Sequence, residues 1–169
     1  MRKALPFLAL AAAISCNHEI TGLEPPSDPT TETFAASLGV TISAMTKTTS
    51  GVWYKDVTVG TGARDTTATD SITINYVGRI KTGTQFDAAS NVTFQTASIV
   101  KGMRDGLMGM KEGGKRKLVI PSALGYGAQA IRDTNGAVKI PRQSTLIFDV
   151  DLVKAYNHVD TTKTSLRTP

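Results

Sequence analysis

Residues 99–127, IVKGMRDGLMGMKEGGKRKLVIPSALGYG, decide the fold. Val100, Met103, Leu107 and Met110 fall at i, i+3, i+7 and i+10, one apolar stripe of helical period. No other segment has that period. The spacing predicts a helix of about three turns, ended by Gly113-Gly114. The period then changes: Arg116 to Ile120 reads as a strand with Leu118 and Ile120 inward. Outward from this stretch, Ser71 to Ile80 alternates, with Ile72, Ile74 and Tyr76 on one face and Thr73, Asn75 and Val77 on the other. Lys81-Thr82-Gly83-Thr84 turns the chain after it. Thr145 to Val153 sets Leu146, Phe148, Val150 and Leu152 against Ile147, Asp149 and Asp151, and Val52 to Val59 alternates up to the turn at Gly60-Thr61-Gly62. One short helix among antiparallel strands makes an α+β domain, a curved sheet wrapped around the helix. The groove between them should be lined by Val100 and Met103 from the helix and by Tyr76 and Phe148 from the sheet.

The 169 residues, 40% hydrophobic and 20% charged, suffice for one domain with something left over. Cys16 is the only cysteine, and His18 and His158 are the only histidines, all near the ends. The middle of the chain therefore holds no Ser-His-Asp or Cys-His pair and no thiolate or imidazole for zinc. No metal or other cofactor is expected. Of the net charge of +5, Arg2 and Lys3 supply two at the extreme N-terminus. The run Lys115-Arg116-Lys117 lies on a predicted strand without interleaved aromatics. It reads as a solvated face rather than a nucleic-acid surface.

Met1-Arg2-Lys3 followed by the apolar stretch Ala4 to Ile14 is a targeting segment too short to remain as a membrane span. The Ser15-Cys16 junction resembles the lipobox of bacterial lipoproteins, in which the cysteine is acylated and becomes the first mature residue. Ala13 stands where that motif prefers leucine. Residues 1–15 are thus expected to be a signal peptide and Cys16 a lipid attachment point. That places the protein in a bacterial envelope, lipid-anchored and facing the periplasm or the exterior. Ordinary cleavage and secretion is the alternative. Loss of Arg2 and Lys3 would leave 17 basic against 14 acidic residues, a net +3. Residues 16–48, with Pro25, Pro26 and Pro29, suit an extended tether, with a short edge strand where Leu38, Val40 and Ile42 alternate. The domain is set at 49–156, followed by a polar tail, 157–169.

The quoted stretch resembles the central signature of the FKBP-type (macrolide-binding) peptidyl-prolyl isomerases. So do NYVG at 75–78, GTQFD at 83–87 and IPRQSTLIFDVDL at 140–152, in the family's order and near its spacing. The resemblance implies an aromatic-lined pocket for a proline ring, built from Tyr76, Phe86, Val100, Tyr126, Ile140 and Phe148. It puts Asp87 at the rim, Ile99 beside the backbone N–H that holds the carbonyl next to the proline, and the Tyr126 hydroxyl on a ligand carbonyl. Met103 stands where many members have tryptophan at the floor, and Val92 where an aromatic wall is common. The loop from Tyr126 to Ile140 is longer than in the smallest members. These departures bear on macrolide affinity more than on isomerase activity. The implied activity is X–Pro isomerisation in unfolded or folding envelope proteins, by a monomer, since the helical arm of dimeric relatives is not seen. A non-enzymatic chaperone or scaffold binding proline-containing segments is the alternative.

Overall fold

The computed structural model describes residues 24–62 and 71–156. Cys16, the targeting segment and the tail from Asn157 lie outside them. The chain runs through β1 (Thr46–Lys47), β2 (Trp53–Thr58), β3 (Ser71–Ile80), β4 (Gln85–Gln95), α1 (Lys101–Leu107), β5 (Lys115–Ile120), β6 (Ile131–Arg132), β7 (Val138–Ile140) and β8 (Leu146–Tyr156). Six strands make one antiparallel sheet, in the order β1-β2-β5-β8-β3-β4, while β6 and β7 pair as a separate hairpin. Ile72, Ile74, Leu118, Ile120, Leu146 and Val150 turn inward to the core, where Met103 and Leu107 of α1 meet them. The helix lies very close to the sheet. A Cβ at Gly102 would come within 2.2 Å of the Ile120 side chain, so only glycine fits there.

The helix is shorter than its stripe. It closes at Leu107, and the chain turns at Gly109 (φ 72°), with the Met110 N–H donating to the Leu107 carbonyl at 3.0 Å. Met110 nevertheless stays buried, so the hydrophobic pattern outlasts the helical backbone. Strand β4 has no counterpart in the sequence reading. Asp87, Ser90, Asn91 and Thr93 mask it, and its alternation is broken by a bulge. The pairing passes from Ile74 with Val92 to Tyr76 with Ala89. At the bulge Asn91 takes φ 53°, and its N–H donates to Asn75 Oδ1 at 2.7 Å.

The described part of the expected tether is packed. In place of an edge strand over 34–45 the chain forms two 3-10 turns, Ala36–Leu38 and Ile42–Ala44, separated by Gly39 at φ 58°. Phe34, Leu38, Val40, Ile42 and Met45 cover the outer face of the sheet over Val119, Ile147 and Trp53. The cause is in β5 and β8. Val119 and Ile147 are fully buried although they alternate with core residues, so both faces of these strands need an apolar cover.

The basic run is occupied by carboxylates. Lys115 pairs with Asp151 at 2.6 Å, Lys117 pairs with Asp149, and Arg116 pairs with Asp56 at 2.7 Å. Arg116 is not solvated. Its guanidinium stacks 4.3 Å over the Tyr54 ring and donates to the Gly106 and Met108 carbonyls at 2.8 and 3.1 Å, capping the C-terminal end of α1.

Candidate active site

The floor is apolar. Phe86 from β4, Met103 from α1, Ile140 from β7 and Phe148 from β8 are all buried in one cluster. The Phe86 and Phe148 rings meet edge to face at 5.5 Å. Gly78 of β3 makes this possible. A Cβ there would lie 2.7 Å from Phe86 and 2.8 Å from Phe148. Tyr76, Val92, Ile99 and Val100 are partly buried against the same cluster.

The polar groups stand at the rim. The Tyr76 hydroxyl donates to Asp87 Oδ2 at 2.8 Å, while Asp87 Oδ1 accepts the Ala88 N–H at 3.0 Å. Burial, then the bond to Asp87 and its charge, push the Tyr76 phenol up to about 12. The Tyr126 phenol is raised too, by burial first and then by the Asp87 charge. One carboxylate thus acts on both phenols. Tyr126 is 36% exposed, and among the described residues its hydroxyl has no hydrogen-bond partner. The Val100 N–H, ahead of the first turn of α1, likewise has none among them. These two donors are available to a ligand.

Eight of the ten pocket residues read from the sequence are therefore brought together in the cluster, Asp87 joins them through its bond to Tyr76, and Tyr126 is linked to them through the charge of Asp87. Phe94 was missed. Its ring lies 6.1 Å from that of Tyr76, the same distance as the Phe148 ring, and it packs partly buried against the same cluster. The aromatic wall looked for at Val92 is thus supplied two residues later on the same strand, and Val92 packs beside it. A period-2 reading of Val92-Thr93-Phe94 would have found it, had β4 been recognised. Gly78 was quoted in a motif but given no role. The long loop contributes the β6–β7 hairpin, whose turn is held by Asp133 Oδ1 accepting the Asn135 and Ala137 N–H groups, both at 2.9 Å. Among the described residues no three His, Cys, Asp or Glu side chains converge as a metal site would.

Residues 62–153 match the sequence model of the family described as FKBP-type peptidyl-prolyl cis-trans isomerase. The chain belongs to this family. It is 40% identical over 112 residues to an FK506-binding protein of Neisseria meningitidis serogroup B, covering 97% of that protein and 63% of this chain. The fold is similar to the solved peptidyl-prolyl cis-trans isomerase of Pseudomonas syringae pv. tomato, with TM-score 0.61 and 29% identity over 68% of this chain and 82% of that one. It is also similar to FkpA from Escherichia coli, with TM-score 0.58 and 32% identity over 67% of this chain and 52% of that one. The protein is an isomerase of X–Pro peptide bonds, as its family is.

Proposed function

We propose that this pocket turns X–Pro bonds by taking the prolyl group out of water and holding the flanking carbonyls in a twisted geometry. The barrier to rotation, ~18–20 kcal/mol, comes from amide resonance. Resonance places negative charge on the carbonyl oxygen, where water stabilises it. A prolyl ring against Phe86, Phe148, Met103 and Ile140 loses that water, and the twisted amide, with less charge separation, gains on the planar one. The Tyr126 hydroxyl and the Val100 N–H then hold carbonyls in the geometry of the transition state rather than of the planar bond. Asp87 orients Tyr76 and closes the polar rim. No covalent bond breaks, so neither nucleophile nor metal enters. The observation that carries this reading is the segregation of an apolar floor from a rim with two unpartnered donors.

Turnover of a proline-containing peptide in a protease-coupled or exchange NMR assay tests it. Folded protein that binds the peptide without speeding exchange between its cis and trans signals would instead support a non-enzymatic binding module.

The substrates proposed are unfolded or folding polypeptides of a bacterial envelope, reached by a protein tethered through acylated Cys16. The support is the basic start, the apolar stretch and the small residue before a lone cysteine. Radiolabelled palmitate should enter the wild-type chain in a bacterial host and not the Cys16→Ser variant. Label in both would remove Cys16 as the anchor. A macrolide should enter the same pocket, as the name of the Neisseria relative suggests. Its affinity is expected to be low, because Met103 offers a deformable floor instead of a rigid indole plane.

A further inference from the structure

The segment just after the expected anchor is tied to the loops that carry the rim of the site. Ser27 and Ser122 exchange two hydrogen bonds: the Ser27 N–H donates to Ser122 Oγ at 2.9 Å, and the Ser122 N–H donates to Ser27 Oγ at 2.7 Å. Ser122 is fully buried and acts as a hub. Its carbonyl accepts the N–H groups of Gly125 and Gly127, both at 2.9 Å, which are the residues on either side of Tyr126. Its hydroxyl donates to Gln143 Oε1 at 2.9 Å. Gln143 in turn donates from Nε2 to the Glu24 carbonyl at 3.1 Å and from its backbone to the Gly127 carbonyl at 2.8 Å. Gln143 holds φ at 52°, a left-handed conformation that a side chain of this kind adopts only when its surroundings demand it.

A second anchor lies further along. Glu32 bonds Lys81 at 2.8 Å and also accepts the hydroxyl of the fully buried Thr145. The Ala35 N–H donates to the Lys81 carbonyl at 2.9 Å, in the turn that leads to Phe86 and Asp87.

We propose that residues 24–35 are a positioning strap for the isomerase site, and that Ser27 is the positioning residue that sets Tyr126. Tyr126 has no bond of its own among the described residues to fix its ring, so its place depends on the backbone frame Ser122–Gly127. Without the Ser27 hydroxyl the buried Ser122 N–H has no acceptor, and the frame must shift to find one. A shift well under an ångström at a substrate-holding hydroxyl is enough to slow catalysis. The proposal rests on the reading of Tyr126 as the group that binds a substrate carbonyl.

The test uses the full chain as Ser27→Ala, Tyr126→Phe and the double variant, with peptide turnover and the ring signals of Tyr126 and Tyr76 by ¹³C-tyrosine NMR. Ser27→Ala should lower kcat about tenfold with KM changed less than about twofold, and Ser27→Thr should restore it. The Tyr126 ring signals should move while those of Tyr76 stay. In the Tyr126→Phe background, Ser27→Ala should cost almost nothing further, because both act through one hydroxyl. Gln143→Gly, which suits the positive φ and removes only the side-chain bonds, should behave like Ser27→Ala. Unmoved Tyr126 signals in Ser27→Ala, or full additivity in the double variant, overturn the strap. If Tyr126→Phe retains full turnover, the carbonyl-binding role fails, and the Tyr126 ring signals still decide whether Ser27 positions that residue.

Discussion

The two faces of the sheet both bury apolar side chains, and they are covered differently. The inner face is covered by α1 and ends in a floor whose buried side chains are apolar, with polar groups confined to the mouth. The outer face is covered over Val119 and Ile147 by the apolar side chains of residues 34–45, and the segment ahead of them is held through Ser27 and Glu32 by the buried polar anchors Ser122 and Thr145. The difference follows from what each face does. An isomerase floor works by lacking water and polar partners. A strap that must hold loops in register needs directional bonds, and burial makes those bonds costly to break. Stability is thus shared between the faces, while chemistry belongs to one.

The sharpest break of this comparison uses neighbours on β8. Phe148 is 4% exposed on the inner face, and Ile147 is fully buried on the outer one. Phe148→Ala should destabilise by ~3–5 kcal/mol and Ile147→Ala by ~2–5 kcal/mol, read as shifts of the urea midpoint. Turnover per folded molecule should fall more than about tenfold for Phe148→Ala, which removes the edge-to-face partner of Phe86. It should stay near wild type for Ile147→Ala. Equal loss from both would abolish the division of labour.

Much of the inner face was legible because helical and strand periods report burial against one partner. Leu118, Ile120, Phe148 and Val150 were read as inward, and they are. Periodicity had already joined Tyr76, Val100, Met103 and Phe148 in one groove, and the motifs added the other six of the ten pocket residues, which no periodicity could have joined to them. The outer face was illegible for the same reason. An alternation rule assumes one wet face, so Ile147 was grouped with Asp149 and Asp151, and the prolines before it suggested a tether. A continuous apolar run such as Leu118-Val119-Ile120 is the signal that both faces are covered. Phe94 was lost to the bulge at Asn91, which moves the register by one residue. Ser27, Glu32 and Gln143 act through contacts far apart in sequence, which no local pattern reports.

At the rim, Asp87→Ala should cost less. It removes the acceptor of the Tyr76 hydroxyl and a charge at the mouth, so kcat/KM should fall on the order of tenfold, the scale of one charge-assisted hydrogen bond. The urea midpoint should hardly move, since Asp87 is exposed. Full turnover in this variant would remove Asp87 from the site.

A smaller and purely inner-face effect is expected in alkali. Folded Tyr76 keeps its proton up to about 12, whereas in the unfolded chain it leaves near ~10. Between those values the folded state binds more protons, so stability is complete below pH ~10 and falls as pH rises toward the folded value. In Asp87→Ala the phenol should titrate earlier, though burial still holds it above its ordinary value. Tyrosinate absorbance against pH measures this directly. A Tyr76 titration unchanged by Asp87→Ala would mean that their bond is not formed in solution.

The smallest effect belongs to the outer-face charges. Lys117 is tucked against the sheet with its side chain 15% exposed, but its partner Asp149 is 41% exposed and also holds Arg79 at 3.0 Å. Lys117→Met keeps the aliphatic packing and leaves Asp149 a second cation. The loss should be within ~1 kcal/mol, as for other ion pairs open to water. It should shrink further in high salt, where exposed charges are screened. Urea midpoints of wild type and variant at low and high salt make the comparison. A large loss that salt does not reduce would show that this pair behaves as buried, and would give the outer face an electrostatic share in stability comparable to its apolar one.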